Sequence, residues 1–161
     1  MRRITTYLLA LGLFLIILIG PRPAQAFIGA LGYLGYGHTF GDNSDNFGPT
    51  IEVGGSFSLL FLAIDLTYWN VLDDTADSQS QIRIGARLEP PILPVYLRAA
   101  AGIPFDGDVR DRLGTDIILG AGVTAFSIPL LKVVVELDYH AWTSGSGIHP
   151  LELKAGVNIG F

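Results

Sequence analysis

The stretch that decides the fold is Leu151-Glu-Leu-Lys-Ala-Gly-Val-Asn-Ile-Gly-Phe161, at the end of the chain. Apolar residues occupy every second position, and glutamate, lysine, asparagine or glycine lies between them. Side chains of a β-strand point alternately to the two faces of a sheet. The stretch is therefore predicted to be a strand with one polar face and one apolar face, and the apolar face includes the ring of Phe161.

The first residues of the chain have the three parts of an export signal. Two arginines follow the initiating methionine, residues 7–20 form an apolar stretch, and Ala24-Gln25-Ala26 offers a small-x-small cleavage site. The apolar stretch is shorter than the ~20 residues that a membrane-spanning helix requires. The sequence therefore predicts a signal peptide, residues 1–26, that is removed by cleavage, and one mature domain, residues 27–161.

Composition argues against several classes of function. The chain has 10 basic and 15 acidic residues, and three of the arginines belong to the predicted signal peptide, which leaves seven basic residues in the mature domain. An acidic domain is a poor partner for nucleic acid, since phosphate groups need contacts from lysine and arginine. The chain has no cysteine, so it has no disulfide framework and no thiol chemistry.

Period-two alternation recurs along the mature domain and predicts eight strands. Most of them reach or slightly exceed the ~9 to 11 residues that a tilted strand needs to cross a bilayer. An even number of such strands suits a closed antiparallel barrel. The predicted strands are near residues 28–40, 50–58, 60–71, 79–88, 95–103, 115–126, 131–143 and 150–161.

Connections between the predicted strands alternate in length and polarity. Tight apolar or proline-containing turns alternate with longer polar segments. Short periplasmic turns and longer external loops are typical of transmembrane barrels. The turns lie near residues 58–59, 90–92 and 128–129, and the longer segments lie at residues 41–48, 73–78, 104–114 and 144–148.

Alternation alone does not say which face of the barrel points inward, because a soluble lipocalin-like barrel carries its apolar face inside. Glycine is frequent among the charges of the polar face, which is typical of a crowded lumen. We therefore predict an apolar exterior and a lumen filled by paired charges. The predicted lumen charge network is Glu52, Asp65, Arg83, Arg87, Arg98, Glu136, Asp138, His140, Glu152 and Lys154.

If the strands pair about the predicted turns, particular charges become neighbours. The hairpin at residues 58–59 is predicted to set Glu52 beside Asp65, and the hairpin at residues 90–92 to set Arg87 beside Arg98. Like charges side by side repel each other, so Asp65 and Arg87 are predicted to pair across the third and fourth strands. The predicted pairs of the last hairpin are Asp138 with Lys154 and His140 with Glu152.

Aromatic residues lie near both ends of the predicted strands, as in the interfacial girdles of a membrane barrel. The alternative, which stays open, is that these rings are core anchors of a β-sandwich. The turn-end rings are Phe57, Phe61, Phe126 and Phe161, and the loop-end rings are Phe40, Tyr68, Trp69, Tyr139 and Trp142.

The predicted export signal, the strand alternation, the loop pattern and the terminal Phe161 make the mature domain similar to the small outer-membrane barrels of the OmpA/OmpX type. The resemblance implies an all-β fold, an eight-stranded antiparallel up-and-down transmembrane β-barrel, in the bacterial outer membrane. It also implies that Phe161 is a C-terminal assembly signal for the barrel-assembly machinery. Outer-membrane lipid and lipopolysaccharide are the implied partners, and a monomer is expected.

Fold alone does not choose an activity, and we predict a structural or surface-interaction role without enzymatic activity and without a cofactor. Lipid A deacylases resemble these barrels and carry a His-x-Ser motif followed by an acidic residue. In this chain Trp142 occupies the serine position after His140. A deacylase-like hydrolase that uses Ser144 or Ser146 stays an alternative, and so does a narrow channel, although a packed eight-stranded lumen argues against the channel.

Acidic residues cluster in two of the predicted loops. Carboxylate oxygens are ligands for hard cations, but the spacing is not that of a calcium loop, and Arg110 and Arg112 can neutralise the second cluster or contact lipopolysaccharide phosphate. We predict solvated loops and no metal site, with divalent-cation binding as the alternative. The clusters are Asp73, Asp74 and Asp77 in one loop, and Asp106, Asp108, Asp111 and Asp116 in the next.

Overall fold

The computed structural model describes residues 27–39, 48–72, 79–90, 93–144 and 149–160. Several predictions fall outside the described residues. They concern the signal peptide, the acidic cluster of Asp73, Asp74 and Asp77, and the residues Phe40, Ser146 and Phe161.

All eight predicted strands are present, and their observed ends differ from the predicted ends by at most two residues. The described strands are β1 (Phe27–Thr39), β2 (Gly48–Leu59), β3 (Leu62–Val71), β4 (Ser80–Leu88), β5 (Val95–Pro104), β6 (Asp116–Ile128), β7 (Leu131–Trp142) and β8 (Pro150–Gly160).

One helix, α1 (Gly107–Leu113), lies in a segment that was predicted to be an irregular polar loop. Asp106 is its N-cap, because the Asp106 carboxylate accepts hydrogen bonds from the backbone N–H groups of Asp108 and Val109. Within the residues that the structure describes, no helix is long and apolar enough to cross a bilayer.

The strands form one closed barrel in which neighbours in the chain are neighbours in the sheet, all antiparallel. β1 also pairs with β8, from Gly29 opposite Gly160 to Thr39 opposite Pro150, and this pairing closes the sheet. A closed sheet has no open edge that another strand could extend. The predicted eight-stranded up-and-down barrel is confirmed, and the β-sandwich alternative is wrong.

The barrel is apolar outside and polar inside. Along β3, Leu62, Ile64 and Leu66 are 44% to 59% exposed, whereas Ala63 and Asp65 between them are 1% and 2% exposed. The same strict alternation runs along β4 and β5. A soluble lipocalin-like barrel would bury its apolar face, so the chain folds as a transmembrane barrel with a polar lumen.

The predicted register of the β2–β3 hairpin is wrong. Glu52 lies opposite Trp69, and Asp65 lies opposite Ser56, because the turn begins at Leu60 instead of Ser58. Leu60 has a φ of 57°, in the left-handed region that glycine and asparagine usually occupy. A leucine in this conformation is not a sequence signal for a turn, which explains the error.

The predicted register of the last hairpin is also wrong, by two residues. Asp138 lies opposite Glu152 in the sheet, although it was predicted to lie opposite Lys154. The side chains of diagonal neighbours nevertheless meet, because long side chains span the 7–8 Å between such positions. Asp138 therefore contacts Lys154, and His140 contacts Glu152.

Trp69 and Trp142 point into the barrel, so the prediction that they are interfacial rings is wrong, whereas the alternation along the seventh strand, which puts Trp142 on the polar face with His140, is confirmed. The two tryptophans are 0% and 8% exposed and pack with Val71, and with Val109 and Leu113 of α1, in an apolar cluster at the loop end of the lumen. Each tryptophan lies an even number of positions from the inward residues of its strand, so its side chain points to the same face as theirs. The predicted girdle rings that are exposed are Phe57, Phe61, Tyr68, Phe126 and Tyr139.

Candidate functional site

The charged lumen is the candidate functional site. All ten residues of the predicted network lie inside the barrel, and none is more than 4% exposed. They occupy inward positions of β2, β3, β4, β5, β7 and β8. Buried charges are unfavourable unless they are paired and hydrogen-bonded, so the contacts of each side chain decide whether the arrangement is stable.

The carboxylate of Glu52 is the centre of the network. Arg98 Nη2 lies 2.6 Å from its Oε1, and Lys154 Nζ and Arg83 Nη1 lie 2.8 and 3.2 Å from its Oε2. The Thr67 hydroxyl donates a further hydrogen bond of 2.7 Å to Oε1. These cations belong to β4, β5 and β8, so one carboxylate of β2 connects strands on different sides of the lumen.

Two carboxylates of β7, Glu136 and Asp138, share the same two cations. Lys154 Nζ lies 2.8 Å from Glu136 Oε1 and 2.7 Å from Asp138 Oδ2, and Arg98 Nη1 lies 2.9 and 3.3 Å from the same oxygens. Tyr96 also donates a 2.6 Å hydrogen bond to the other oxygen of Glu136. The shared cations offset the repulsion between two acidic side chains on one face of one strand.

A second cluster lies nearer the turn end of the lumen. Arg87 holds Asp65 with two hydrogen bonds, 2.7 Å from Nε and 2.9 Å from Nη2, in the bidentate geometry that arginine and carboxylate favour. Glu89 joins this pair to Lys132, with distances of 3.2 Å to Arg87 and 2.7 Å to Lys132. Arg87 lies opposite Arg98 as predicted, but the two guanidinium groups bind different carboxylates.

His140 lies at the loop end of the network, between two carboxylates. Its Nδ1 is 2.8 Å from Asp116 Oδ2, and its Nε2 is 3.1 Å from Glu152 Oε2. Gln81 donates to the same Asp116 oxygen, and Trp69 Nε1 donates to Glu152. The prediction that Asp116 belongs to a solvated acidic loop is wrong: it begins β6 and is 0% exposed.

Several buried lumen side chains were not part of the predicted charge network. The guanidinium carbon of Arg83 lies 4.1 Å from the ring centroid of Trp69, and Lys154 Nζ lies 4.9 Å from that of Tyr33, which are cation–π distances. Several of them lie an even number of positions from a predicted lumen charge on the same strand, and this spacing could have identified them. The missed residues are Tyr33, Thr50, Thr67, Trp69 and Asp116.

Inward glycines make room for the long polar side chains. A Cβ atom at Gly120 would lie 2.0 Å from Oδ1 of Asp138, the residue directly across from it on β7. A Cβ atom at Gly122 would lie 2.3 Å from the ring of Tyr96. Both distances are far inside van der Waals contact, which explains why the polar face of β6 carries glycine between charged neighbours.

One group of side chains has the composition of a metal site. Asp138, His140 and Glu152 each bring a ligand atom to within 4.8 Å of the others, and divalent transition metals accept such oxygen and imidazole donors. Lys154 already contacts the Asp138 carboxylate at 2.7 Å, and both ring nitrogens of His140 contact carboxylates. A metal ion would have to displace these partners, so the geometry favours a charge network.

The loop end of the lumen is covered by α1. Val109 and Leu113 are 4% and 5% exposed and contact the tryptophan cluster inside the barrel mouth. Backbone hydrogen bonds of 3.0 Å from Ser144 to Leu113 and from Thr143 to Thr115 attach the end of this segment to the two residues that follow β7. An apolar layer therefore lies next to the His140 cluster, at the loop end of the lumen.

Comparison with solved structures gives similar folds at low sequence identity. A de novo designed transmembrane β-barrel matches with a TM-score of 0.55 and 17% identity, over 87% of this chain and 98% of that one. A second designed barrel, TMB2.3, matches with a TM-score of 0.47 and 18% identity, over 82% of this chain and 94% of that one. Neisserial surface protein A (NspA) matches with a TM-score of 0.49 and 17% identity, over 83% of this chain and 97% of that one. No family model and no curated protein sequence matches the chain. The first of these similarities supports the transmembrane barrel fold.

Proposed function

We propose that this chain is a small integral protein of the bacterial outer membrane, with a structural or surface-interaction role and a lumen filled by side chains. The paired charges around Glu52 carry the proposal, because they fill the interior of a barrel whose exterior is apolar. Eight strands enclose an interior just wide enough for side chains. Networked ion pairs between strands also resist the displacement that an open pore requires.

The lumen proposal is tested by planar-bilayer recording of the refolded barrel. We expect no sustained conductance of porin size from the wild-type protein, and the same from Asp111→Asn, an exposed control on α1. Small or intermittent currents agree with a packed interior. A sustained porin-sized current from the wild-type barrel would contradict the proposal and support the narrow channel.

The proposed compartment depends on residues 1–26 as a cleaved signal peptide. We expect the mature protein to begin at Phe27 and to fractionate with outer membranes. Intact-mass measurement of the purified protein tests the cleavage, and membrane fractionation tests the compartment. An uncleaved chain in the inner membrane would overturn both.

The proposed partners are outer-membrane lipid, lipopolysaccharide and the barrel-assembly machinery, and the proposed state is a monomer. Exposed Arg110 and Arg112 on α1 support contact with lipopolysaccharide phosphate. The closing strand β8, which pairs with both β1 and β7, supports assembly through the C-terminal strand. Changing both arginines to alanine should weaken binding of lipopolysaccharide to the reconstituted barrel, whereas Asp111→Asn should not. Equal binding by both variants would remove this support.

The deacylase alternative has weaker support from the geometry. Both ring nitrogens of His140 contact carboxylates, and Trp142 stands where the nucleophile would be. His140 is also 1% exposed inside the lumen, away from the lipid-facing surface. Mass spectrometry of lipid A from cells with and without the protein separates the two functions. Loss of an acyl chain that depends on the protein would establish the hydrolase.

A further inference from the structure

The described residues of the three hairpin turns at the end of the barrel opposite α1 include exposed apolar side chains. In the β2–β3 turn, Leu59, Leu60 and Phe61 are 51%, 62% and 51% exposed. In the other two turns, Leu93 is 54% exposed and Leu130 is 63% exposed. Turns that project into water are normally polar, so these side chains indicate a different environment.

This apolar surface is continuous with the lipid-facing exterior of the barrel. Phe57 precedes Leu59 on the same outward face of β2, and Val95 follows Leu93 at the start of β5. Two charged side chains near this end, among the residues that the structure describes, are turned away from the surface. Glu89 and Lys132 pair with each other at 2.7 Å, and each side chain is 15% exposed.

The backbone of the same turns is also suited to an apolar surrounding, where each unpaired polar group is costly. The carbonyl oxygens of Phe61, Pro94 and Leu130 accept hydrogen bonds of 2.7, 2.6 and 3.1 Å from residues of adjacent hairpins. Prolines, which have no N–H group to satisfy, are present in the turn segments at Pro90, Pro94 and Pro129.

The height of the barrel agrees with this arrangement. The exposed rings of Tyr68 and Tyr139 lie at the loop end, where aromatic side chains mark the membrane interface. Positions 60 and 68 are eight residues apart, and positions 130 and 139 are nine apart. Tilted strands advance about 2.4 to 2.8 Å along the axis per residue, so the turns lie about 19 to 25 Å from the rings, against an apolar band of about 25 Å.

We propose that the turn end of this barrel, defined by Leu59, Leu60, Phe61, Leu93 and Leu130, is immersed in the hydrocarbon of the bilayer leaflet at that end. The occupant of the apolar surface is lipid acyl chain, because the surface continues the lipid-facing side chains of β2 and β5. The proposal rests on the membrane-spanning role proposed above. It implies that this end presents little water-exposed surface to soluble partners.

Site-directed spin labelling tests the proposal directly, since the chain has no native cysteine. Leu60→Cys and Leu130→Cys report on the turns, Leu66→Cys on the middle of the lipid-facing band, and Asp108→Cys on exposed α1. Collision rates with oxygen and with a water-soluble nickel chelate are measured in phosphatidylcholine vesicles that contain the purified barrel. We expect the labels at positions 60 and 130 to favour oxygen, as the label at position 66 does.

Three outcomes would overturn the inference or its premise. Labels at positions 60 and 130 that resemble position 108, while position 66 favours oxygen, would place the turns in water. A label at position 66 that also favours the nickel chelate would refute the proposed membrane role itself. Spin–spin broadening at position 60 that disappears on dilution with lipid would assign the surface to a second copy of the chain.

Bilayer thickness provides a further measurement that does not depend on one variant. In short-chain phosphatidylcholine the hydrocarbon is thinner, so collisions with the nickel chelate should increase at position 60 and stay low at position 66. If Leu60→Cys does not fold, as judged by heat-modifiable migration in gels, a label at Leu93→Cys takes its place. Equal nickel collision rates at the turn in thin and thick bilayers would contradict immersion.

Discussion

The Asp65–Arg87 pair offers the sharpest test of the network, because the structure predicts unequal effects for its two members. Arg87 holds Asp65 through two hydrogen bonds of 2.7 and 2.9 Å, and the two side chains are 2% and 1% exposed. Arg87 has a second carboxylate, since Glu89 lies 3.2 Å from its Nη1. Removing the aspartate therefore leaves the arginine with a partner, whereas removing the arginine leaves Asp65 without this cation.

The magnitudes follow from this asymmetry. Breaking a buried ion pair from one side costs about 3 to 5 kcal/mol, and we expect Arg87→Gln to lie in this range. Asp65→Asn should cost less, about 2 to 3 kcal/mol, because the contact with Glu89 remains and each hydrogen bond to a charged group is worth about 1.5 to 3 kcal/mol. The loss in Arg87→Gln should shrink at low pH, since a protonated Asp65 carboxyl carries no charge to bury.

The assay is a double-mutant cycle on urea unfolding of the barrel in lipid vesicles, with Asp65→Asn, Arg87→Gln and the double variant. We expect a coupling free energy of about 2 kcal/mol or more, because the double variant leaves no stranded charge. Asp111→Asn on exposed α1 is the control, and it should stay within about 0.5 kcal/mol of the wild-type protein. Additive single losses, with coupling below about 0.5 kcal/mol, would refute the reasoning.

Three other predictions concern packing, assembly and the cover of the lumen. Gly54→Ala should cost about 2 kcal/mol or more in unfolding free energy, because its Cβ would lie 2.2 Å from the Leu66 carbonyl oxygen. The control, Gly55→Ala, should be nearly neutral, because its Cβ would lie 3.6 Å from the nearest atom. Deleting Phe161 should lower the amount of inserted barrel in outer membranes far more than Asp77→Ser in a predicted external loop, and equal levels would contradict an assembly role. Val109→Asp should speed trypsin cleavage of α1 in vesicles, because a buried charge displaces the helix from the barrel. An unchanged cleavage rate would contradict the packing of α1 over the lumen.

Much of the fold was predictable from the sequence because period-two alternation over eight segments of this length indicates eight β-strands, each with one polar and one apolar face. The lipid-facing residues of β3, such as Leu62, Ile64 and Leu66, and the inward Asp65 are on the faces that parity predicted. The same parity should have placed Trp69 inside, and the error came from treating a loop-end ring as an interface anchor.

The register and the contacts across the lumen were not predictable in the same way. Leu60 adopts a left-handed conformation that no local residue preference indicates, so the β2–β3 hairpin was placed incorrectly. The contacts of Glu52 with Arg83, Arg98 and Lys154 join strands that are not consecutive in the chain. Hairpin pairing gives no information about which side chains meet in the middle of a closed barrel.

By itself, the sequence determined the strand number, the apolar exterior and the set of charges inside, because each depends only on alternation and composition along single strands. Only the tertiary structure showed that Asp116 contacts His140 inside the barrel and does not belong to the acidic loop cluster. It also showed that α1 covers the lumen, with Val109 packed inside the barrel mouth. Both depend on closure of the barrel, which brings the end of one loop over the inward side chains of strands far away in the chain. A charged side chain that is excluded from water must lie next to groups of opposite charge. Only closure of the barrel determines which groups those are.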